Sequence, residues 1–334
     1  MRILIVNVNW IGDILFSTFL IRCIKKSFPN SYLLTLVPEN GAKLLEGNPY
    51  LDGIIEFDPF SERGFTGFDI SLIRKLRSYN FSHSLHLHRS LSRKCYAYFG
   101  GIKNRIGYNE KLNSFLLTQS LTSQRDRVHR ALYYFNLGSV INIADDSNGL
   151  DIFIRDEELE RAREVLASHK IDRFCLMHIG ANWQAKRWPF DYYSELINLI
   201  INKYNIKVLL TGTGQDVQGA DYIVAHSNPE VLSLAGKTTL RELISLIKLS
   251  QVSITVDSAP LHIAAAFKKP LIGIFGPTDD KLTGPFRPEG KTIILKENID
   301  CSIPCYKDIC PYDYICMRKV KPQSVLNAVG KVLR

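Results

Sequence analysis

The sequence of 334 residues lacks any apolar run long enough to cross a membrane, since no stretch offers about 18 uninterrupted apolar residues. Its first segment, MRILIVNVNWIGDILFSTFLIRCIKK, places a basic residue before apolar ones, as a signal peptide does. However, Asn7, Asn9 and Asp13 interrupt the run, and no small-residue cleavage site follows. These absences argue against a spanning helix and a secretory signal, and we predict a cytoplasmic protein.

The common nucleotide-binding motifs are also missing. No GxxxxGK[ST] occurs, which argues against a P-loop kinase or NTPase. The glycines of GTGQDVQG, at 212–219, do not have the GxGxxG spacing of an NAD site. No two aspartates are separated by one residue, so the acidic platform that often holds a metal-bound nucleotide sugar is absent. Any phosphate would therefore be neutralised by basic side chains and helix N-termini, and we expect no metal and no cofactor.

What is present is the alternation of an α/β protein. Hydrophobic residues make up 46% and charged residues 22%, a composition typical of a soluble protein with a core. Strand-like runs such as RILIVNV alternate with helical patterns such as ILFSTFLIRCIKKSF, which indicates parallel βαβ units. The pattern loosens at the loop NIADDSNGL and then starts again. We predict two Rossmann-like domains, residues 1–155 and 156–320, and a final helix in 321–334 that packs back on the N-terminal domain.

The positive charge is concentrated in one part of the chain. The formal net charge is +9, and the segment from Arg63 to Arg130 contains 13 Lys or Arg against 3 Asp or Glu. Such an excess indicates an acidic partner: a phosphorylated glycolipid, an anionic membrane surface or nucleic acid. The aromatic residues of this region match no nucleic-acid-recognition pattern, so we expect no nucleic acid. The alternative is a solvated basic face without a partner.

Four of the seven cysteines lie close together in CSIPCYKDICPYDYIC, at positions 301, 305, 310 and 316. No CxxC pair occurs, so the spacing matches no familiar zinc pattern. Disulfides are disfavoured in a cytoplasmic protein. We therefore expect an ordinary thiol-rich loop rather than a metal site.

The segment ITVDSAPLHIAAAF combines the end of a predicted strand with the start of a predicted helix. Ligands of open α/β sheets bind beyond the carboxyl ends of strands, and the first amides of a helix suit an anion. Ser258 would cap the helix or contact phosphate, and Asp257 would accept hydrogen bonds from sugar hydroxyls. The alternative is that one of these residues only caps the helix and that His262 is a core histidine.

Two further segments follow predicted strands. In HIGANWQAKRWPFDYY, Lys186 and Arg187 offer positive charges suited to a pyrophosphate, although an exposed basic loop with Trp188 in the core is the alternative. In NWIGD, Gly12 permits a tight turn and Asp13 precedes a helix. Asp13 is either the N-cap of that helix or a general base facing a cleft.

Together these segments resemble the heptosyltransferases, glycosyltransferase family 9. The resemblance extends over nearly the whole chain and includes the N-terminal strand followed by GD, and then GANWQAKRWP, VDSAPLHIAAA, GIFGPTDDKLTGPF and the cysteine-rich segment. Order and spacing agree as well. The resemblance implies an α/β fold of GT-B type, with two Rossmann-like domains facing across a cleft.

The resemblance also implies residue roles. Asp13 aligns with the catalytic aspartate of the family, and the donor-binding positions are Lys186, Asp216, Asp257, Ser258, Ala259 and His262. Two departures occur: the family commonly has Gly at the position of Ala259, and Asp216 is one methylene shorter than the Glu often found there. Neither removes a charge that the mechanism needs.

The implied activity is inverting, metal-independent transfer of a heptose from ADP-heptose to the inner core of lipopolysaccharide. The acceptor, an anionic glycolipid built on lipid A and Kdo, would be drawn in by Arg63, Arg89, Arg93 and Lys94. Such an enzyme would be peripheral at the cytoplasmic surface of the inner membrane. The alternatives are a GT-B enzyme using another nucleotide sugar, an epimerase of related architecture, a basic nucleic-acid-binding protein and an inactive scaffold.

Overall fold

A computed structural model of the chain describes residues 1–58, 69–109, 111–305, 307 and 309–333. The chain divides into two compact units, Met1–Phe153 and Ile154–Arg334. The boundary expected after residue 155 lies two residues beyond this division. Among the described residues, no helix is both long and apolar enough to cross a bilayer.

The first unit is a parallel sheet with helices. Its strands are β1 (Arg2–Val6), β2 (Tyr32–Val37), β3 (Gly53–Glu56), β4 (His83–His86), β5 (Asn104–Asn109) and β6 (Gln119–Thr122). Its helices are α1 (Ile11–Ser27), α2 (Glu39–Leu45), α3 (Ile70–Ser78), α4 (Leu91–Phe99) and α5 (Arg130–Gly138). The strand order is β3-β2-β1-β4-β5-β6, and every neighbouring pair is parallel.

The second unit repeats this plan. Its strands are β7 (Phe174–His178), β8 (Lys207–Thr211), β9 (Val231–Ser233), β10 (Val252–Val256), β11 (Leu271–Ile274) and β12 (Thr292–Leu295). Its helices are α6 (Asp156–Ser168), α7 (Phe190–Tyr204), α8 (Val217–Ala225), α9 (Leu240–Leu249), α10 (Ala259–Ala266), α11 (Asp280–Thr283), α12 (Ile315–Lys319) and α13 (Pro322–Val332). The parallel strands are ordered β12-β11-β10-β7-β8-β9.

Both sheets have the Rossmann strand order, which confirms the predicted pair of Rossmann-like α/β domains. The central strands are buried because helices cover both faces of a parallel sheet, and every residue of β7 and of β10 is buried. In each sheet the strand order reverses at one place, between β1 and β4 and between β10 and β7. Ligands of such sheets bind beyond the carboxyl ends of the strands at that switch point.

The C-terminal helix does not follow the sequence-based expectation. Helix α13 packs on α7, and Val325 and Val329 are fully buried in the core of the second unit. Its apolar stripe is thus covered by the unit to which it belongs. The expectation that this helix packs back on the N-terminal domain is corrected accordingly.

Candidate active site

The loop after β7 is tied to the loop after β10 by a short ion pair. Lys186 Nζ lies 2.7 Å from Asp257 Oδ2, and the Asp257 side chain is 4% exposed against 23% for Lys186. Asp257 directly follows β10, and β10 pairs with β7, so the switch point itself brings the two loops together. A buried carboxylate needs such a partner, because an unpaired charge in the interior is costly. Lys186 is thus held in place by this pair rather than lying on an exposed basic loop.

His262 joins this pair from the first turn of α10. Its Nε2 lies 3.8 Å from Asp257 Oδ1, and its side chain is 4% exposed. The imidazole therefore stands beside a carboxylate and not in a wholly apolar core. Lys186, Asp257 and His262 form one cluster, which we call the switch-point cluster.

The N-terminus of α10, beside this cluster, has no side-chain cap. Ser258 occupies the N-cap position, but its Oγ donates to the carbonyl of Val256 at 3.2 Å and lies 3.0 Å from Thr255 Oγ1. Pro260 falls in the first turn, where its missing N–H costs nothing. The interpretation of Ser258 as a simple cap is therefore wrong. An uncapped helix start with a lysine nearby has the electrostatic character of an anion site.

Asp216 has a different environment from the other predicted donor residues. It is 2% exposed, its Oδ1 lies 3.0 Å from Arg187 Nη2, and its Oδ2 accepts hydrogen bonds from Thr213 N at 2.8 Å and Thr213 Oγ1 at 2.7 Å. A Cβ at Gly180 would stand 2.5 Å from Asp216 Oδ2, so only a glycine at position 180 lets the Asp216 carboxylate come this close to the backbone. Asp216 thus ties the loop after β8 to the loop after β7, and ribose binding by it stays a prediction.

Trp188, directly after Lys186 and Arg187, anchors the same end of the β7 loop. Its side chain is 1% exposed, and its Nε1 donates to the carbonyl of Val320 at 2.9 Å. Trp188 is thus in the core, as the alternative interpretation of this segment had it, although the basic residues beside it are paired. The end of the loop that precedes α7 is therefore fixed by a buried indole and by two ion pairs.

Asp13 in the first unit lies at the third position of α1. The N-cap of this helix is Trp10, and no side-chain cap is formed, so Asp13 is not the N-cap. Instead, Asp13 Oδ1 accepts a hydrogen bond of 2.8 Å from the Tyr134 hydroxyl and lies 3.7 Å from Arg130 Nε. Oδ2 forms no hydrogen bond within the described residues. The side chain is 27% exposed, which leaves the carboxylate accessible to an incoming proton donor.

The partners of Asp13 come from α5, which packs on α1. Burial, and then the neighbouring charge of Asp13, raise the pKa of Tyr134 well above its ordinary value, so Tyr134 remains the hydrogen-bond donor. Arg130 is 6% exposed, and its Nη1 is buried without a hydrogen bond to any described residue. The sequence offers no motif in RALYYFNLG that would have identified either residue.

The end of β4 in the same unit has a positive electrostatic environment. Burial, and then nearby cations including Lys94 and Arg93, lower the pKa of His86 to about 3 and that of His88 to about 4. Both imidazoles are therefore neutral near pH 7. The positive charges around these imidazoles favour an anionic ligand.

The predicted acceptor residues do not share one environment. Arg89 is exposed, whereas Arg93 and Lys94 are 1% and 2% exposed, and Arg63 lies outside the described residues. Arg93 donates to the carbonyl of Asn7 and to Asn9 Oδ1. Arg93 and Lys94 are buried on α4, so they are not part of an exposed basic surface, and their attraction of the acceptor stays a prediction. Arg93 instead holds the connection between β1 and α1, just before Asp13.

Comparison with known proteins identifies, over most of the chain, the family that the sequence motifs resemble. The model of "Glycosyltransferase family 9 (heptosyltransferase)" matches residues 70–314. Lipooligosaccharide heptosyltransferase 2 of Haemophilus influenzae is 30% identical over 316 residues, which are 89% of each chain. Lipopolysaccharide heptosyltransferase 2 of Salmonella typhimurium is 26% identical over 311 residues, 88% of each chain.

Solved structures agree in fold. The glycosyl transferase family 9 structure from Veillonella parvula matches with a TM-score of 0.89 and 23% identity, covering 99% of this chain and 97% of that one. The E. coli ADP-heptose lps heptosyltransferase II matches with a TM-score of 0.83 and 22% identity, covering 100% and 98%. These matches confirm the predicted GT-B fold class.

Proposed function

Because the chain belongs to glycosyltransferase family 9, the heptosyltransferases, we propose that it transfers a heptose from ADP-heptose to the inner core of lipopolysaccharide. The names of its relatives support this choice of donor and acceptor. One observation carries the proposal: Asp13 and Asp257, the carboxylates that the family resemblance selects, each follow a strand at the switch point of their own sheet, with a cation beside them.

The second unit would bind the donor. Lysine has three N–H donors, and one of them is directed to Asp257, so two remain for oxygens of the diphosphate. The uncapped amides at the start of α10 offer further donors to the same group. Asp257 and His262 would then face the hydroxyls of the sugar. In this arrangement the negative charge that develops on departing ADP is met by Lys186 and by backbone amides, without a metal ion.

The first unit would supply the base. An acceptor hydroxyl attacks the anomeric carbon, the new carbon–oxygen bond forms on the face opposite the leaving group, and ADP departs with the bonding electron pair. The proton of the attacking hydroxyl goes to Asp13, and the configuration at the anomeric carbon is inverted. Tyr134 and Arg130 act as positioning residues, because both engage Oδ1 and leave Oδ2 for the acceptor.

The acceptor would be anionic. The positive environment around the end of β4 and the exposed Arg89 favour the phosphates and carboxylates of a lipopolysaccharide core. Since this acceptor is anchored by lipid, the enzyme would act at the cytoplasmic surface of the inner membrane.

A product assay tests the proposal. We would incubate the purified protein with ADP-heptose and a heptose-deficient core glycolipid, and follow ADP release together with the mass of the glycolipid. The expected result is one added heptose and ADP release that depends on the acceptor. UDP- and GDP-sugars, and ADP-heptose without acceptor, serve as controls. Equal turnover with another nucleotide sugar, or conversion of the donor alone, would contradict the proposal.

A further inference from the structure

The proposed reaction does not use the four cysteines that follow β12, three of them before α12 and the last within it. Cys301, Cys305, Cys310 and Cys316 all carry free thiols, and none is part of a disulfide. The first three are partly exposed and only Cys316 is buried, so they are not ordinary core residues. Within the described residues, the chain between these two elements forms no strand or α-helix.

Two of the cysteines meet the same dipeptide after β11, although they come from opposite ends of the segment. The Cys305 amide donates to the carbonyl of Pro277 at 2.7 Å. A Cβ at Gly276 would stand 3.0 Å from Cys316 Sγ, so this sulfur lies against the Gly276 backbone. The segment is thus folded back on itself at Gly276 and Pro277.

All four cysteines line one cavity of about 20 Å³, together with Ala185 and Pro277. This volume holds about one water molecule, and therefore also one metal ion. Ala185 precedes Lys186 in the loop after β7, so the cavity adjoins the backbone that positions the switch-point cluster. The four cysteines therefore share the lining of a single cavity.

The chemistry of the cavity lining agrees with a metal site. Four sulfur ligands are the set that tetrahedral zinc and iron prefer.

From this geometry we propose that Cys301, Cys305, Cys310 and Cys316 bind one thiophilic metal ion, zinc or iron. As the side chains stand, no three Cys, His, Asp or Glu side chains within the described residues are close enough to hold an ion. Binding therefore requires rotation of the thiols and closure of the irregular segment, so the metal would also fold it. The ion is structural and takes no part in the transfer step. This proposal revises the thiol-rich loop expected from the sequence.

Metal analysis of the purified full chain tests the proposal. We expect one equivalent of zinc or iron per chain, lost in Cys310→Ser and kept in Cys95→Ser, which changes a partly exposed thiol of the first unit. Retention of the full equivalent by Cys310→Ser would overturn the assignment.

A second measurement does not depend on the folding of a variant. The wild-type chain, stripped with a chelator, is titrated with Co²⁺ alone. Tetrahedral thiolate ligation gives an intense sulfur-to-cobalt charge-transfer absorption that saturates at one equivalent, and Zn²⁺ should then displace the cobalt. A wild-type chain that contains no metal and shows no such absorption would refute the proposal. Donor binding and transfer are measured separately, so this outcome would leave the proposed function intact.

Discussion

The Tyr134 hydroxyl donates a hydrogen bond of 2.8 Å to Asp13 Oδ1, although 121 positions separate the two residues. The contact exists because α5 packs on α1, which places a phenol from the end of the first unit beside a carboxylate from its beginning. Asp13 is thereby oriented through one oxygen.

Tyr134→Phe should lower kcat by about tenfold, because it removes a hydrogen bond to a charged group without removing the ring. Donor affinity should not change, since Tyr134 belongs to the first unit. The measurement is steady-state transfer, together with calorimetric titration of the donor. Tyr133→Phe is the matched control: it also removes one buried hydroxyl, which contacts Ser123 and not Asp13. An equal loss in both variants would show that Tyr134 acts only through packing.

Arg130→Met should lower kcat by about tenfold, because it removes a buried cation that lies 3.7 Å from Asp13 Oδ1 and helps to hold this carboxylate in place. Donor affinity should not change, since Arg130 belongs to the first unit. Steady-state transfer and calorimetric titration of the donor measure the two quantities. The exposed Arg127→Met, a few residues earlier, should leave kcat unchanged. A kcat near the wild-type value in Arg130→Met would contradict the positioning role.

Lys186→Met should lower kcat/KM by about a hundredfold, since it removes the cation proposed to meet the departing diphosphate. It should also cost about 3 kcal/mol of unfolding free energy, because Asp257 is left buried without its partner. The double variant with Asp257→Asn removes that buried charge, so stability should recover while transfer does not. Urea unfolding and transfer assays separate the two effects, with the exposed Lys331→Met as control. Recovery of transfer in the double variant would rule out the catalytic role.

Glu158→Gln should lower the unfolding free energy by about 2 kcal/mol near neutral pH. Arg241 donates to both oxygens of Glu158, at 2.8 and 2.6 Å, and this hydrogen bonding lowers the pKa of Glu158 from 4.5 to about 2. A lowered carboxyl pKa stabilises the fold above the unfolded value of 4.5, and this stabilisation is lost as the pH falls toward 2.

The difference between wild type and Glu158→Gln should therefore shrink on acidification. Urea titrations at about pH 7 and about pH 3 measure it. Glu160→Gln is the control, since Glu160 is an exposed residue on the same helix and pairs with the exposed Arg163. A difference that is independent of pH would mean that the ion pair is not its source.

The sequence predicted what depends on local pattern. The buried strands β1, β7 and β10 are mainly apolar runs, and the polar residues that follow them were expected at the carboxyl edge of a sheet. The Rossmann order then explains why Lys186 and Asp257 meet, because β7 and β10 are neighbours at the switch point. For Lys186 and Asp257, the local sequence pattern and the sheet topology therefore lead to the same place, the carboxyl edge of the second sheet.

What the sequence did not predict depends on contacts between distant segments. Arg130 and Tyr134 lie in a helix without a motif, and only the packing of α5 on α1 reveals them. Arg93 and Lys94 appeared as part of a basic surface because a charge count cannot tell which face of α4 is buried. The shared cavity of the four cysteines is also a tertiary feature, since their spacing alone matched no metal pattern.

The most direct test of the account is Asp13→Asn, which keeps the size of the side chain but cannot accept the proton. We predict that heptose transfer falls by about 10³-fold while calorimetry shows unchanged binding of ADP-heptose. Transfer near the wild-type rate by this variant would contradict the assignment of Asp13 as the base.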